Sequence, residues 1–317
     1  MWGIRISHTP TLPYFSIVHS LMYNQISSNV RRTYLLIIFF ILIVGALGYL
    51  FSKSFGYPWI LPLAVIFAIV SSIGSYYYSD SIVLSISNAR PATKEENAFL
   101  INTVEGLALA AGTPVPKIYV IDDTAPNAFA TGRDPNHAVI CVTTGLMQKM
   151  NRVELEGVVA HEMSHIKGYD IRLMAVVAVL AGTVVLLSDW MLRSFWWGGG
   201  RSRDNDDRNG NNNALFFVLA LVAAILAPLV ATIMQLAISR RREYLADAQG
   251  AMLTRYPDGL ASALEKLAAD TEPLEAANKA TAHLYIVNPL KDIGGTINGL
   301  FDTHPPIEER VRRLREM

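Results

Sequence analysis

The sequence predicts a mainly α-helical membrane protein in which four membrane-spanning helices carry one α+β domain. The composition is the first observation behind this, because 51% of residues are hydrophobic and only 17% charged, a balance unusual for a water-soluble domain. The second is a set of long uncharged runs, and the third a pair of polar regions with mixed helix and strand patterns.

Thr33–Ser52 contains no charged residue and is dominated by Leu, Ile and Phe, long enough to cross a hydrocarbon core of roughly 30 Å as a helix. Ser54–Ser79 is again uncharged, with Tyr57 and Trp59 at one end and Tyr76, Tyr77 and Tyr78 at the other, where amphipathic rings meet the two interfaces. Together they predict a hairpin over 33–79 that turns near Lys53. Ahead of it lies an N-terminal segment, 1–32, of which Met1–Ser20 lacks the apolar core and small-residue cleavage site of a signal peptide.

A second hairpin is expected over 173–239, built from Leu173–Ser188 and Ala214–Ser239. The first of these runs ends at Asp189, Arg193 and the cluster Trp190, Trp196 and Trp197, and the second contains Pro228, which kinks a helix without barring it from lipid. A buried hairpin inside a soluble domain is the alternative for this pair, the first run being short for a span. Between them, GGGRSRDNDDRNGNNN at Gly198–Asn213 has too little apolar surface to offset its ordering entropy and is expected to be a flexible exposed loop.

Four spans would place the polar regions 80–172 and 240–317 on one side of the membrane. Arg31 and Arg32, Lys167 and Arg172, and Arg240, Arg241 and Arg242 flank the spans on that side and assign it to the cytoplasm. Arg193, Arg201, Arg203 and Arg208 on the far side run against this assignment.

In region 80–172, Thr93 to Glu96 reads as a capping box opening a helix that ends near Gly112. Lys117–Ile121, Asn127–Thr131 and Ala138–Thr143 read as short strands separated by turn residues. Region 240–317 predicts helices at about 258–270, 274–287 and 305–316. Lys+Arg and Asp+Glu both total 27, so no positive field invites nucleic acid, and no nucleic-acid partner is expected. The single cysteine, Cys141, lies in the apolar strand run and reads as a buried thiol rather than a nucleophile.

The chemistry concentrates in His161-Glu162-Met163-Ser164-His165, an HExxH pattern on a stretch, Glu154–Gly168, with helical periodicity through Leu155, Val158, Val159 and Ile166. Histidines at i and i+4 project from one helical face, one turn apart, and suit a single ion such as Zn²⁺. Glu162 flanks that face, within reach of a proton on a water at the ion. A catalytic zinc site needs a third protein ligand. Glu243 is the best candidate, because it follows the fourth apolar run and returns beside the histidines if the two runs pair antiparallel. Asp247, one turn further on, could accept the other N–H of a zinc-bound histidine, or be a solvated helix charge.

HEMSH, then EYLAD at Glu243–Asp247, then THP at Thr303–Pro305, resemble the HtpX family of membrane zinc metalloproteases, relatives of the CAAX prenyl endopeptidases. The similarity runs from Met22 to Met317 and takes in NAFATG at Asn127–Gly132 and the four-run hydropathy pattern. Residues 1–21 precede a stretch from Met22 that is similar to a usual start of that family.

The resemblance implies a zincin-type domain on the cytoplasmic side of the cell membrane, cleaving damaged or misfolded membrane proteins. It implies one Zn²⁺ per chain held by His161, His165 and Glu243, with Glu162 as the base. It also implies that NAFATG is an edge strand pairing with extended substrate, which puts Asn127 and Ala128 beside the scissile bond, against an ordinary core strand as the alternative. His304 in THP is similar to a histidine that faces the active site and could stabilise an oxyanion. Arg310 fits an HPxxxxR pattern and would pair with Asp247 or a neighbouring carboxylate, or else lie on the surface. From other classes, the rivals are a catalytically silent zinc-binding membrane adaptor and a solute transporter. The first lacks an evident fourth ligand, and Pro228 is the only hint of the second.

Overall fold

The computed structural model describes residues 12–198, 240–277, 281–289 and 305–317. Its elements run α1 (Leu12–Phe55), α2 (Ile60–Ile86), β1 (Arg90–Pro91), α3 (Lys94–Ala111), β2 (Lys117–Ile121), β3 (Ala128–Gly132) and β4 (Ala138–Thr143). They continue through α4 (Thr144–Lys149), α5 (Arg152–Lys167), α6 (Asp170–Gly198), α7 (Arg240–Thr254), α8 (Pro257–Ala269) and α9 (Ile307–Arg315).

Two helical stretches, Gln25–Lys53 and Ile60–Ile86, are long and apolar enough to cross a membrane. Leu35, Ile38, Phe39 and Leu42 on α1 and Leu63, Ile66, Val70 and Ile73 on α2 are exposed, a surface that suits lipid and not water. A third span exists if α5 and α6 count as one broken helix, since Arg152–Lys167 and Asp170–Leu186 meet at 84°. Among the described residues there are thus two to three such apolar helices, where the sequence predicts four. The fourth run, 214–239, the loop 199–213 and Pro228 lie outside the described residues. Leu173, Val176, Val177, Leu180 and Val184 of α6 pack with Leu36 and Phe40 of α1 and Ala68 of α2. The second helix also outlasts its expected end at Ser79, because Val83 and Leu84 bury themselves against the sheet residues Phe129, Val139 and Cys141.

The sheet has the order β1-β2-β4-β3, with β2 and β4 parallel and β3 antiparallel to β4. Its three longer strands match the sequence expectation, β3 shifted by one residue, whereas β1 is too short to leave a periodic signal. Both faces are covered. Ala128, Ala130, Ile140 and Val142 pack toward α3 and α5, while Ile121, Phe129, Val139 and Cys141 pack toward α2, α6 and Tyr285. Burial holds the Cys141 thiol far above its ordinary pKa, so it stays protonated and inert.

Two local expectations are corrected. Thr93 is the N-cap of α3, but its side chain makes no capping bond. Glu96 is drawn instead to Arg90 at 2.7 Å, and the same guanidinium holds Asp122. The helix expected at 274–287 is absent from the residues described there, which form a turn and a short 3-10 turn at Ala282–Leu284. The chain then runs along β3, where the Ile286 N–H donates to the Ala128 carbonyl at 3.0 Å. Pairing to an open sheet edge outweighs the weak helical pattern of that stretch.

Helix α5 is the centre of the domain. Asn151 and Glu154 close a capping box at its start, with the Glu154 N–H 3.0 Å from Asn151 Oδ1 and the Asn151 N–H 2.8 Å from Glu154 Oε2. The same Glu154 carboxylate accepts from Lys266 Nζ at 2.7 Å and Ser262 Oγ at 3.0 Å, which ties α8 to that end. From Gly157 to Ile166 every residue of α5 is buried, so the helix is wrapped on all sides rather than amphipathic.

Candidate metal centre

One helical turn brings His161 and His165 onto the same side of α5, and their Nε2 atoms lie 3.1 Å apart. Glu243 arrives from α7, its carboxylate oxygens 3.7 Å from His161 Nε2 and 3.6 Å from His165 Nε2. Among the described residues these three form the group able to hold a metal ion, with ligand atoms within 4.8 Å of one another, all buried. Helix α7 can approach this closely because of Gly250, where a Cβ would lie 3.0 Å from the His161 nitrogen.

Each histidine has a carboxylate behind it. Asp247 Oδ1 sits 2.9 Å from His161 Nδ1, and Asp170 Oδ2 sits 3.1 Å from His165 Nδ1. With each Nδ1 proton donated to its carboxylate, both Nε2 lone pairs point at the same place. The Glu243 oxygens join them there. Three acceptors converging on one place suit a positive charge between them. A tetrahedral Zn²⁺ with bonds of about 2.0–2.1 Å separates two nitrogen ligands by roughly 3.3 Å, close to the spacing present. The donor set therefore fits zinc.

The surrounding charge points the same way. Glu162, Glu243, Asp170 and Asp247 are buried, and the buried guanidiniums facing them are Arg242 and Arg310. Among the described residues four carboxylates thus face two guanidiniums, a surplus of carboxylates that suits a cation. The imbalance is visible in the titrating groups. Burial, with the nearby Glu243 charge, pushes the Glu162 carboxyl up to about 7, although His165, the Ala130 N–H and Arg310 favour its ionised form. Burial disfavours a proton on His165, but the Asp170 and Glu243 carboxylates overcome this and raise it to about 9. Burial also opposes ionisation of Asp247, yet the Arg310 guanidinium holds it down at about 2.

Arg310, completely buried, clamps Asp247 with two hydrogen bonds, Nε to Oδ2 at 2.8 Å and Nη2 to Oδ1 at 2.7 Å. It also donates to the Ile286 carbonyl at 3.2 Å and approaches Glu243 Oε2 to 3.9 Å. The structure thus brings His161, Glu162, His165, Glu243, Asp247 and Arg310 together. Residues 301–304, His304 among them, lie outside the described residues. Ala128, the first residue of β3, and Asn127 just before it are buried and engaged by the chain itself, the Asn127 side chain donating to the Val287 carbonyl at 3.0 Å and the Ala128 carbonyl accepting from Ile286. It is Ala130, two residues along, whose N–H reaches Glu162.

Sequence reasoning missed Asp170 and the Ala130 N–H. Asp170 is five residues past His165, off the helical repeat, and turns back only because the helix breaks at Gly168 and Tyr169, the latter with φ of 58°. Gly168 at the end of the HExxH periodicity was the signal available.

Residues 94–317 match the family model described as Peptidase family M48. Among similar proteins, a "Protease HtpX homolog" of Dictyoglomus thermophilum is 49% identical over 302 residues, spanning 93% of this chain and 94% of that one. Another of the same description, from Thermoanaerobacter pseudethanolicus, is 51% identical over 298 residues, spanning 93% and 98%. A crystal structure of S. mikatae Ste24p aligns with a TM-score of 0.49 and 24% identity, covering 85% of this chain and 62% of that one.

Removing Arg310 strands a buried carboxylate, which typically costs about 3–5 kcal/mol. Arg310→Ala is therefore expected to lower the melting temperature of the detergent-solubilised protein sharply. Arg312→Ala, on the exposed side of the same helix, should change it little. Equal and small shifts for both variants would refute the clamp.

Proposed function

The chain belongs to peptidase family M48 and is a membrane metalloprotease of the HtpX kind, and from that premise we propose that it is a zinc-dependent endopeptidase cutting protein substrates at the membrane's cytoplasmic side. The observation carrying this reading is the convergence of His161 Nε2, His165 Nε2 and the Glu243 carboxylate beside a buried Glu162. These three residues would hold one Zn²⁺ per chain. When bound, the ion supplies Lewis acidity and makes a nucleophile of water near neutral pH.

The rest is done by the chain. Asp247 and Asp170 hold the two imidazoles in the tautomer that offers Nε2 inward. Glu162, buried beside the three residues, takes a proton from the attacking water and passes it to the leaving amine. The Ala130 N–H keeps that carboxylate against the β3 edge. Asn127 and Ala128 are proposed as contacts for an extended substrate, which must displace residues 286–287 from the Ala128 carbonyl and the Asn127 amide to pair there, and His304 is proposed as the donor to the developing oxyanion. A site closed for structural zinc would show a fourth protein ligand; the group among the described residues has three members.

The finer assignments are part of the same proposal. The chain is divided into the hairpin 33–79, the catalytic region 80–172, the second hairpin 173–239 and the region 240–317 that supplies Glu243. Both polar regions face the cytoplasm across a four-span bilayer arrangement, and misfolded or damaged membrane proteins are the substrates. Support comes from the apolar surface of α1 and α2 and from the arginines and lysines flanking the spans.

Glu162→Gln should keep stoichiometric zinc and lose casein-type proteolysis, whereas His161→Ala and His165→Ala lose both. Glu243→Gln is expected to weaken zinc binding more than Asp247→Asn, for which a loss of about 10 to 100-fold is typical of a residue that orients a ligand. Wild-type proteolysis in Glu162→Gln, or parental zinc affinity in Glu243→Gln, would contradict the assignment.

Orientation is tested separately. A C-terminal tag on intact cells is expected to resist external protease and to be cut only after lysis. Digestion on intact cells would reverse the topology.

A further inference from the structure

Helix α1 faces lipid along much of its length, yet one face of it is buried. Asn29, Thr33, Leu36 and Phe40 occupy that face, spaced at helical intervals and 2%, 0%, 5% and 0% exposed. Leu36 and Phe40 pack against α6 as apolar residues do. Asn29 does not belong to that pattern: a primary amide in an apolar seam costs free energy unless its donors are used. Its Nδ2 atom is 2.6 Å from Asp170 Oδ1 and 2.9 Å from the Gly168 carbonyl. Asp170, 2% exposed, lies in turn behind His165.

The other donors to Asp170 are more distant. Gln25 Nε2 and Arg242 Nη1 both stand at 3.5 Å. The Oδ2 atom faces His165 Nδ1 at 3.1 Å, so the short bond from Asn29 fixes the opposite oxygen and with it the plane of the carboxylate. His165 is five residues from Asp170 across an 84° break, and no continuous helix sets their relation. The chain that does so starts in the membrane hairpin.

We propose that Asn29 is a positioning residue of the metal centre: through Asp170 it orients His165, so the first membrane helix takes part in holding the ion. The proposal rests on the zinc reading of His161, His165 and Glu243. It adds that a partner two hydrogen bonds removed from His165, contributed by a segment outside the family-matched residues 94–317, tunes the affinity. Removal of such outer partners typically weakens metal binding about 10 to 100-fold.

The test is zinc affinity, measured by chelator competition on full-length protein in detergent, for wild type, Asn29→Ala, Asp170→Ala, the double variant and Phe40→Ala. Asn29→Ala should weaken zinc about tenfold, Asp170→Ala about 10 to 100-fold, and the double variant no more than Asp170→Ala alone, because both act on one link. Phe40→Ala loosens the same helix without touching the chain of bonds and should stay within about twofold. If Asn29→Ala does not insert, Asn29→Asp serves: it is isosteric, sets an acceptor against the Asp170 carboxylate, and should lose at least as much affinity.

Parental affinity in the Asn29 variant, additive losses in the double variant, or an equal loss in Phe40→Ala would each overturn the proposal. A wild type without stoichiometric zinc would instead remove the zinc reading itself, a failure visible before any variant is made.

Discussion

Charge balance in a dry interior is the constraint on which the rest of this structure depends. An unpaired buried charge is costly, and it must be paired, hydrogen-bonded or neutralised by a proton. Around the histidine pair, among the described residues, the buried carboxylates Glu162, Asp170, Glu243 and Asp247 face the buried guanidiniums Arg242 and Arg310. Asp247 is compensated by Arg310 through two short bonds. Asp170 is shared among His165, Asn29 and Arg242. Beside Glu243, burial raises Glu162 to about 7, and the Asp170 and Glu243 carboxylates raise His165 to about 9. A divalent cation at the three converging acceptors answers the same carboxylate charge with no proton.

Holding those charges requires helices that approach more closely than ordinary side chains allow. At Gly157 a Cβ would lie 2.7 Å from the Leu260 nitrogen, and at Gly250 one would lie 3.0 Å from the His161 nitrogen. These contacts set α8 and α7 tightly against α5. The break after Lys167 then does what a straight helix could not, turning Asp170 back toward His165 and sending α6 toward α1 and α2. The histidine pair and the apolar helices α1 and α2 therefore share a joint instead of being linked by a tether.

The pairing of His161 and His165 was legible because helix geometry alone places residues i and i+4 together. Glu243 needed an argument about chain return, and its route through 214–239 lies outside the described residues. Asp247 and Arg310 were legible as chemistry, as a carboxylate one turn beyond a ligand and an arginine at a fixed spacing, but not as a bidentate clamp. Asp170 and Asn29 were not legible, since both depend on a bend and on the packing of distant segments. The apparent helix at 274–287 failed for the opposite reason: local periodicity was present, and the open edge of β3 outweighed it. Likewise Thr93 and Glu96 carried a capping signature, but Arg90 took the glutamate.

The central claim, that three converging acceptors hold one zinc ion, is tested most directly by X-ray diffraction from the full-length protein on both sides of the zinc absorption edge. The account predicts one anomalous peak per chain, about 2.0–2.2 Å from His161 Nε2, His165 Nε2 and a Glu243 oxygen. A peak bound by other residues, or none at these three, would contradict it.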